Sequence, residues 1–235
     1  MANFLSTPVY KTQAKAADLG LEKLSRTQLF EVAASLFGYE TNRILALRAG
    51  YLRETLARTD VGVFLDDYAA IRRAASLLHA NDLPTTSARR YVEMMVDFIR
   101  QSIAAPVFMN EGLFLDEHLE PHIEPFFLEQ LYENDEMLAA HAKVNVLCEF
   151  VECIETYPLS DIWKSRREWL VDCRVEILPK GKDGKSFGGG EYLLSQSQVA
   201  YAKLDRAIVS VHPRFAPAGA QAKRFHAGMG GEHIR

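Results

Sequence analysis

The chain has 235 residues, 48% of them hydrophobic, which is enough to bury the core of one large domain or two small ones. It contains no apolar run of about eighteen residues, and its first residues lack the basic start and apolar middle of a secretory signal. We therefore expect a cytoplasmic protein that makes no use of a membrane. Its three cysteines are too few for a disulfide framework, so free thiols are expected.

The formal net charge of −4 is distributed unevenly along the chain. Residues 1–60 carry eight lysines and arginines against six acids, and residues 156–235 carry thirteen against eight. Residues 110–155 hold twelve acids and a single lysine. A polyanion such as nucleic acid should therefore contact one of the two ends and avoid the middle.

Caps and apolar spacing predict three helices in the first fifty residues. Thr7 and Pro8 suit the N-cap and first residue of the first helix. Ser25 and Gln28 have the spacing of a capping box for the second helix, and Thr41 can cap the third. Three glycines are expected to end these helices in turn: Gly20, Gly38 and Gly50.

The second and third helices form a pair around the glycine turn. The third helix is predicted to turn Ile44, Leu45 and Leu47 inward against the second. A small residue, a turn glycine and apolar contacts are what a DNA-reading helix-turn-helix needs, but a simple packed helical hairpin needs the same residues. Both interpretations stay open at this point.

The outer face of the third helix would present side chains that can read bases, because asparagine and arginine pair in bidentate fashion with adenine and guanine edges. The loop at 180–190 carries lysines that can contact a phosphate backbone or the acids of a partner. The predicted binding residues at these two basic ends are Asn42, Arg43, Arg48, Lys180, Lys182 and Lys185.

The first fifty residues resemble a short helical module of bacterial proteins described as glyoxalase-related. The resemblance rests on K-x-x-A-K from Lys11 to Lys15 and on the following positions: Leu24, Ser25, Gln28, Glu31, Val32, Ala33, Gly38, Tyr39 and Leu45. Arg26 and Arg43 stand near the positions where that family has a histidine and a tryptophan, so no catalytic residue carries over. The resemblance implies a bacterial accessory protein with a helical N-terminal module.

Further helices are predicted at 51–58, 66–79, 86–104, 125–142, 143–156, 161–168 and 195–204. Strands are predicted at 169–179 and 207–213, where apolar and β-branched residues run together. The expected fold class is α+β and mainly α-helical, with a helical N-terminal two-thirds. The expected segments are a helix-turn-helix-like module (1–60), a helical acidic core (61–157), a small α/β part (158–213) and a flexible tail (214–235).

These features favour a non-enzymatic bacterial accessory or regulatory protein that binds nucleic acid or a protein partner through its basic ends. No cofactor is expected. One alternative is a metal-dependent enzyme that uses His118, His122 and His141 with nearby carboxylates. Pro121 interrupts the helical spacing of the first two histidines, so we predict no metal site there. Another alternative is a structural subunit that docks a basic partner through the acidic segment 110–155.

Overall fold

The computed structural model describes residues 4–78, 85–144, 148–179 and 191–224. The helices are α1 (Ser6–Asp18), α2 (Arg26–Leu36), α3 (Asn42–Leu56), α4 (Asp67–Leu77), α5 (Thr86–Arg100), α6 (Glu111–His118), α7 (Glu120–Glu133) and α8 (Asp135–His141). The strands are β1 (Val61–Phe64), β2 (Val107–Phe108), β3 (Cys148–Pro158), β4 (Glu168–Pro179), β5 (Glu191–Asp205), β6 (Ile208–Ser210), β7 (Arg214–Phe215) and β8 (Gly219–Arg224). Within these described ranges, no helix combines the length and the apolar character needed to cross a bilayer.

The chain divides into two compact units. The first unit takes residues 1–114, 162–167 and 202–211. The second unit takes residues 115–161, 168–201 and 212–235. Each unit is therefore assembled from segments that are far apart in the sequence.

The first unit buries the apolar faces of α1 to α5 around a short sheet. Helix α5 shows the pattern most clearly, because its buried residues recur every three or four positions: Ala88, Tyr91, Val92, Met95, Val96 and Ile99. Strand β1 lies between β2, which runs parallel to it, and β6, which runs antiparallel. The end of β5 forms a hairpin with β6, in which Asp205 faces Ile208.

The second unit is built on long antiparallel strands. Strand β3 pairs with β4, from Cys148 opposite Pro179 to Pro158 opposite Val171. Strand β5 pairs with β7 and β8. Alternate residues of β5 are buried, as in a sheet with one covered face: Leu193, Ser195, Ser197, Val199 and Tyr201. The Trp169 and Tyr201 rings lie 5.6 Å apart between centroids and help to fill the core of this unit.

The predicted fold class is wrong, because strands make up far more of the chain than a mainly helical α+β protein allows. Strands β3, β4 and β5 have 11, 12 and 15 residues, and the described residues of 148–179 and 191–224 are dominated by sheet rather than by a small α/β element. Strands β1 and β2 also lie inside the part predicted to be helical. The predicted acidic segment, residues 110–155, therefore includes most of strand β3.

Several predicted elements need correction. The helix predicted at 143–156 is largely strand β3, and the one predicted at 195–204 lies within β5. The short helix predicted at 161–168 is a series of turns. The predicted flexible tail contains β7 and β8, where Ala218 is buried and its carbonyl accepts a hydrogen bond of 3.0 Å from Asn134. Backbone pairing with β5 orders residues 214–224, and residues 225–235 of the predicted tail lie outside the described residues.

The capping predictions are largely confirmed. Ser25 and Gln28 form the capping box of α2, and the Thr41 side chain accepts a hydrogen bond from the backbone of α3. Two predictions of helix ends are wrong. Helix α1 begins at Ser6 after Leu5, without a side-chain cap, so Thr7 is inside the helix. Helix α3 continues past Gly50 to Leu56, because burial of Leu52 and Leu56 outweighs the cost of about 1 kcal/mol for a glycine within a helix.

Three glycines form a test series, because their backbone angles and their surroundings differ: Gly20, Gly38 and Gly50. Gly38 has φ of +72°, and a Cβ there would lie 2.9 Å from the Trp163 ring. Gly38→Ala should therefore lower the free energy of unfolding by about 2–4 kcal/mol, from backbone strain and overpacking. Gly20 has φ of +64° but open space around it, so Gly20→Ala should cost only about 1 kcal/mol.

Gly50→Ala is the matched control, because Gly50 is helical and has open space around it. This substitution should raise the free energy of unfolding by up to about 1 kcal/mol. Urea unfolding of the three variants measures the series. Equal losses for Gly38→Ala and Gly20→Ala would show that contact with Trp163 does not constrain the turn.

Candidate interaction surface on helix α3

The turn between α2 and α3 is held by contacts within the first unit. The Ser25 hydroxyl accepts the Gln28 N–H at 3.3 Å, and the Gln28 side chain accepts the Ser25 N–H at 2.8 Å, which fixes the start of α2. At the far end of α2, the Gly38 carbonyl accepts a hydrogen bond of 2.8 Å from Arg206. These contacts fix the start of α2 and the turn that leads from α2 into α3.

A buried carboxylate orients α3. The Asp205 side chain is only 6% exposed and accepts the Tyr39 hydroxyl at 2.6 Å and the Arg206 N–H at 2.7 Å. Its other oxygen accepts the Arg48 Nε and Nη2 at 3.3 and 3.2 Å. Burial, together with the hydrogen bond to Asp205, raises the pKa of Tyr39 above its usual range, so Tyr39 remains a donor. Arg48, predicted to bind nucleic acid, is thus engaged within the chain.

Asn42, the first residue of α3, lies in a second polar network. Its N–H donates to Glu31 at 3.2 Å, and Glu31 also pairs with Arg73 at 3.1 Å. The Asn42 side-chain oxygen is buried without a hydrogen-bond partner. The structure therefore places the predicted base-reading group of Asn42 against the protein.

Arg43 is exposed and lies on the outward side of α3. Lys180, Lys182 and Lys185 fall outside the described residues, so the second predicted basic region has no structural account. Of the six predicted binding residues, the structure describes three, and all of them lie on α3: Asn42, Arg43 and Arg48. Only Arg43 combines exposure with freedom from the two networks that orient this helix.

The outward side of α3 carries an apolar row that the sequence did not lead us to expect. Leu47 is 82% exposed, Tyr51 41% and Ile44 38%, and these residues have the spacing i, i+3 and i+7 that aligns side chains on one helix face. We call Ile44, Leu47 and Tyr51 the α3 stripe. The prediction that Ile44 and Leu47 face inward is wrong, because Leu45, Leu52 and Leu56 form the buried face.

Two contacts hold the side chain of Tyr51, the last residue of the α3 stripe. Its hydroxyl donates to the Leu204 carbonyl at 3.0 Å, and the Arg48 guanidinium lies 5.0 Å from its ring centroid. Such a ring presents apolar area with little loss of side-chain entropy on binding. In the helical projection Arg43 and Arg48 lie on opposite sides of the stripe.

The histidines of the enzyme alternative lie in the second unit. His118 Nε2 is 3.6 Å from the Glu117 carboxylate, and burial lowers the pKa of His118. His141 accepts a hydrogen bond of 3.4 Å from the backbone of Cys148. In the part of the chain that the structure describes, no three His, Cys, Asp or Glu side chains are grouped to hold a metal ion.

An open groove of about 540 Å³ lies on the sheet of the second unit and contains the buried Asp172. Its carboxylate accepts the Tyr157 hydroxyl at 2.7 Å and the Gln196 amide at 2.6 Å. These contacts join β3, β4 and β5. Both donors are neutral and bond the same carboxylate oxygen, so the arrangement is that of a structural crosslink.

No family model, curated protein or solved structure matches this chain. The surface on α3 is therefore interpreted from its own geometry.

Asp205→Asn should lower the free energy of unfolding by about 2 kcal/mol, because the buried site loses its charge-assisted hydrogen bonds to Arg48 and its full acceptor capacity for Tyr39. Arg43→Ala is the control, because this exposed residue should change stability by less than about 0.5 kcal/mol. Urea unfolding of both variants gives the comparison. A loss for Asp205→Asn no larger than for Arg43→Ala would contradict the orienting role of the carboxylate.

Proposed function

We propose that the protein acts by binding rather than by catalysis, and that the α3 stripe contacts an acidic protein partner. The observation that carries the proposal is the 82% exposure of Leu47 at the centre of an aligned apolar row. Helix α3 holds three arginines and one glutamate, so the row lies in a positively charged setting. The bacterial, cytoplasmic and accessory character expected from the sequence belongs to the same proposal.

The composition of the exposed face favours a protein over nucleic acid. A DNA-reading helix places polar side chains of its first turns against base edges. In α3 the corresponding Asn42 oxygen is buried, Arg48 is bound to Asp205, and the centre of the face is Leu47. Anchors spaced i, i+3 and i+7 instead fit an apolar groove, as in helix-in-groove recognition.

Charge complementarity defines the partner further. Arg43 is exposed beside the stripe, and the Arg48 guanidinium is half-exposed although it is paired. A groove with carboxylates on its rim would meet these two positive groups while apolar side chains cover Leu47. Rim charges of this kind speed association and select partners more than they add affinity.

Nucleic acid remains the second candidate function, and the exposure of Arg43 at the start of α3 supports it. An arginine at this position of a recognition helix can reach a guanine or a phosphate. The two candidates differ in what they require of Leu47, since a leucine contributes little to phosphate binding.

Site-specific photo-crosslinking tests the proposal in cells that make the full chain. A benzophenone side chain replacing Leu47 should crosslink an acidic protein, whereas the same group replacing Tyr68 should not. Tyr68 is the matched control, because it lies on α4 of the same unit and is 65% exposed. The crosslinked protein is then purified, and its affinity for the unmodified chain is measured by calorimetry.

Leu47→Asp and Arg43→Glu should each weaken that affinity about tenfold or more, the first by placing a charge at the apolar centre and the second by charge repulsion. Both variants should keep their unfolding midpoints, because the replaced side chains are exposed. Tyr68→Asp should leave the affinity unchanged. Equal crosslinking at positions 47 and 68, or unchanged affinity for Leu47→Asp, would refute the protein-docking function.

A gel-shift assay with duplex DNA separates the second candidate. A shift that weakens with salt, disappears in Arg43→Glu and persists in Leu47→Asp would overturn the proposal in favour of nucleic-acid binding. The protein-docking proposal expects no shift of the duplex at physiological salt.

A further inference from the structure

Two cysteines of the second unit lie side by side on neighbouring strands. Cys153 is on β3, where it faces Val175 of β4, and Cys173 comes two residues before Val175. Residues two apart on a strand project to the same face, so Cys173 lies on the same face of β4 as Val175, and its own partner on β3 is Thr156, just beyond a register shift. Cys153 is exposed, whereas Cys173 is fully buried.

A break in the strand register shapes the surroundings of Cys153. The register shifts between Cys153 and Glu155, which leaves Ile154 without a partner on β4. The Cys153 sulfur lies 4.0 Å from the Arg174 carbonyl oxygen. The interaction of the two thiols contributes most to lowering the pKa of Cys153, and it raises the pKa of Cys173.

Two other influences raise the pKa of Cys153, but they do not outweigh the lowering. Partial burial and the negative charge of Glu120 on α7 both favour the neutral thiol. The net direction is still toward the thiolate, which is the nucleophilic form of cysteine. Cys148 provides a contrast within the same strand, because it is buried and its burial raises the pKa of its thiol.

An exposed thiol near a second thiol on the neighbouring strand is an arrangement that reacts reversibly with peroxides. From this placement we infer that Cys153 and Cys173 form a modification site, in which hydrogen peroxide oxidises the two thiols to an intramolecular disulfide. Cys148 takes no part in the reaction. This site is independent of the docking surface on α3.

The reaction balances with hydrogen peroxide as the only oxidant. The Cys153 thiolate attacks one peroxide oxygen, the O–O bond breaks, and the hydroxide released takes up a proton to become water. Cys153 is then a sulfenic acid. The Cys173 sulfur, as it loses its proton, attacks the Cys153 sulfur, so that the S–S bond forms and the S–O bond breaks with loss of a second water. Two thiols lose two electrons, and the peroxide gains them.

Closure of the disulfide requires movement of the backbone. Even in a regular antiparallel pair, diagonal neighbours have Cα atoms about 7–8 Å apart, more than the span of about 4.4–6.8 Å found in most disulfides. Among the strands that the structure describes, β3 lies at the edge of its sheet and pairs with β4 alone. Together with the break at Ile154, the edge position lets Cys153 approach Cys173 without disrupting a central strand.

The test treats the reduced full chain with hydrogen peroxide and then unfolds it in urea, so that a maleimide blocks every remaining thiol, including those that are buried in the folded chain. Intact mass spectrometry should show a loss of two hydrogens and one maleimide adduct instead of three. Peptide mapping should find Cys153 joined to Cys173, and dithiothreitol should restore three reactive thiols. Cys148→Ser should form the same link at the same rate, which makes it the matched control.

Two variants separate the roles of the paired thiols. Cys153→Ser should slow thiol loss at least tenfold and form no intramolecular link. Cys173→Ala should stop at a sulfenic acid on Cys153, trapped with dimedone, and if this core variant does not fold, Cys153→Ser still decides the question. A link that involves Cys148, a link between chains, persistent sulfenic acid in the unsubstituted protein, or unreactive thiols would each overturn the inference.

Discussion

The buried carboxylate of Asp205 is the interaction on which the geometry of the first unit depends. An isolated charge in the protein interior costs several kcal/mol, so the Asp205 site is stable only if donors surround it. Those donors come from Tyr39 in the α2–α3 turn, from Arg48 on α3 and from the Arg206 backbone. Residues separated by 166 positions in the sequence are joined in this way. The requirement to satisfy one charge therefore sets the orientation of a whole helix.

That orientation decides which apolar side of α3 is buried. The helix has two apolar sides, one with Leu45, Leu52 and Leu56 and the other with the α3 stripe. Periodicity alone does not distinguish them, because both have helical spacing. The contacts of Arg48 with Asp205 and of Tyr51 with Leu204 settle the choice, and they depend on a distant segment. For this reason Asn42 and Arg43 could be placed at the helix start from the sequence, but the exposed leucine could not be foreseen.

Features that depend on interactions between neighbouring residues were predictable from the sequence. The capping box at Ser25 and the cap at Thr41 involve groups only three residues apart, and the turn at Gly38 needs only one residue with positive φ. The capping-box rule fails at Ser195 and Gln198. These residues have the spacing of a capping box at the start of the helix predicted at 195–204, but they lie in β5. Ser195 and Ser197 point into the core because their hydroxyls donate to the carbonyls of Gly219 and Ala216. Because these two buried residues are polar, the sequence does not show the alternation of apolar and polar residues that is typical of a strand.

A related reason explains why a helix is predicted where β3 lies. Two register shifts interrupt the alternation of the strand. Cys148 and Val151 are buried three residues apart, a spacing that is typical of a helix. The second shift follows Cys153 and leaves Ile154 without a partner on β4. One backbone irregularity therefore both interrupts the alternation of the strand and lies between Cys153 and Thr156, the partner of Cys173. The placement of these two cysteines can be recognised only once the strand register is known.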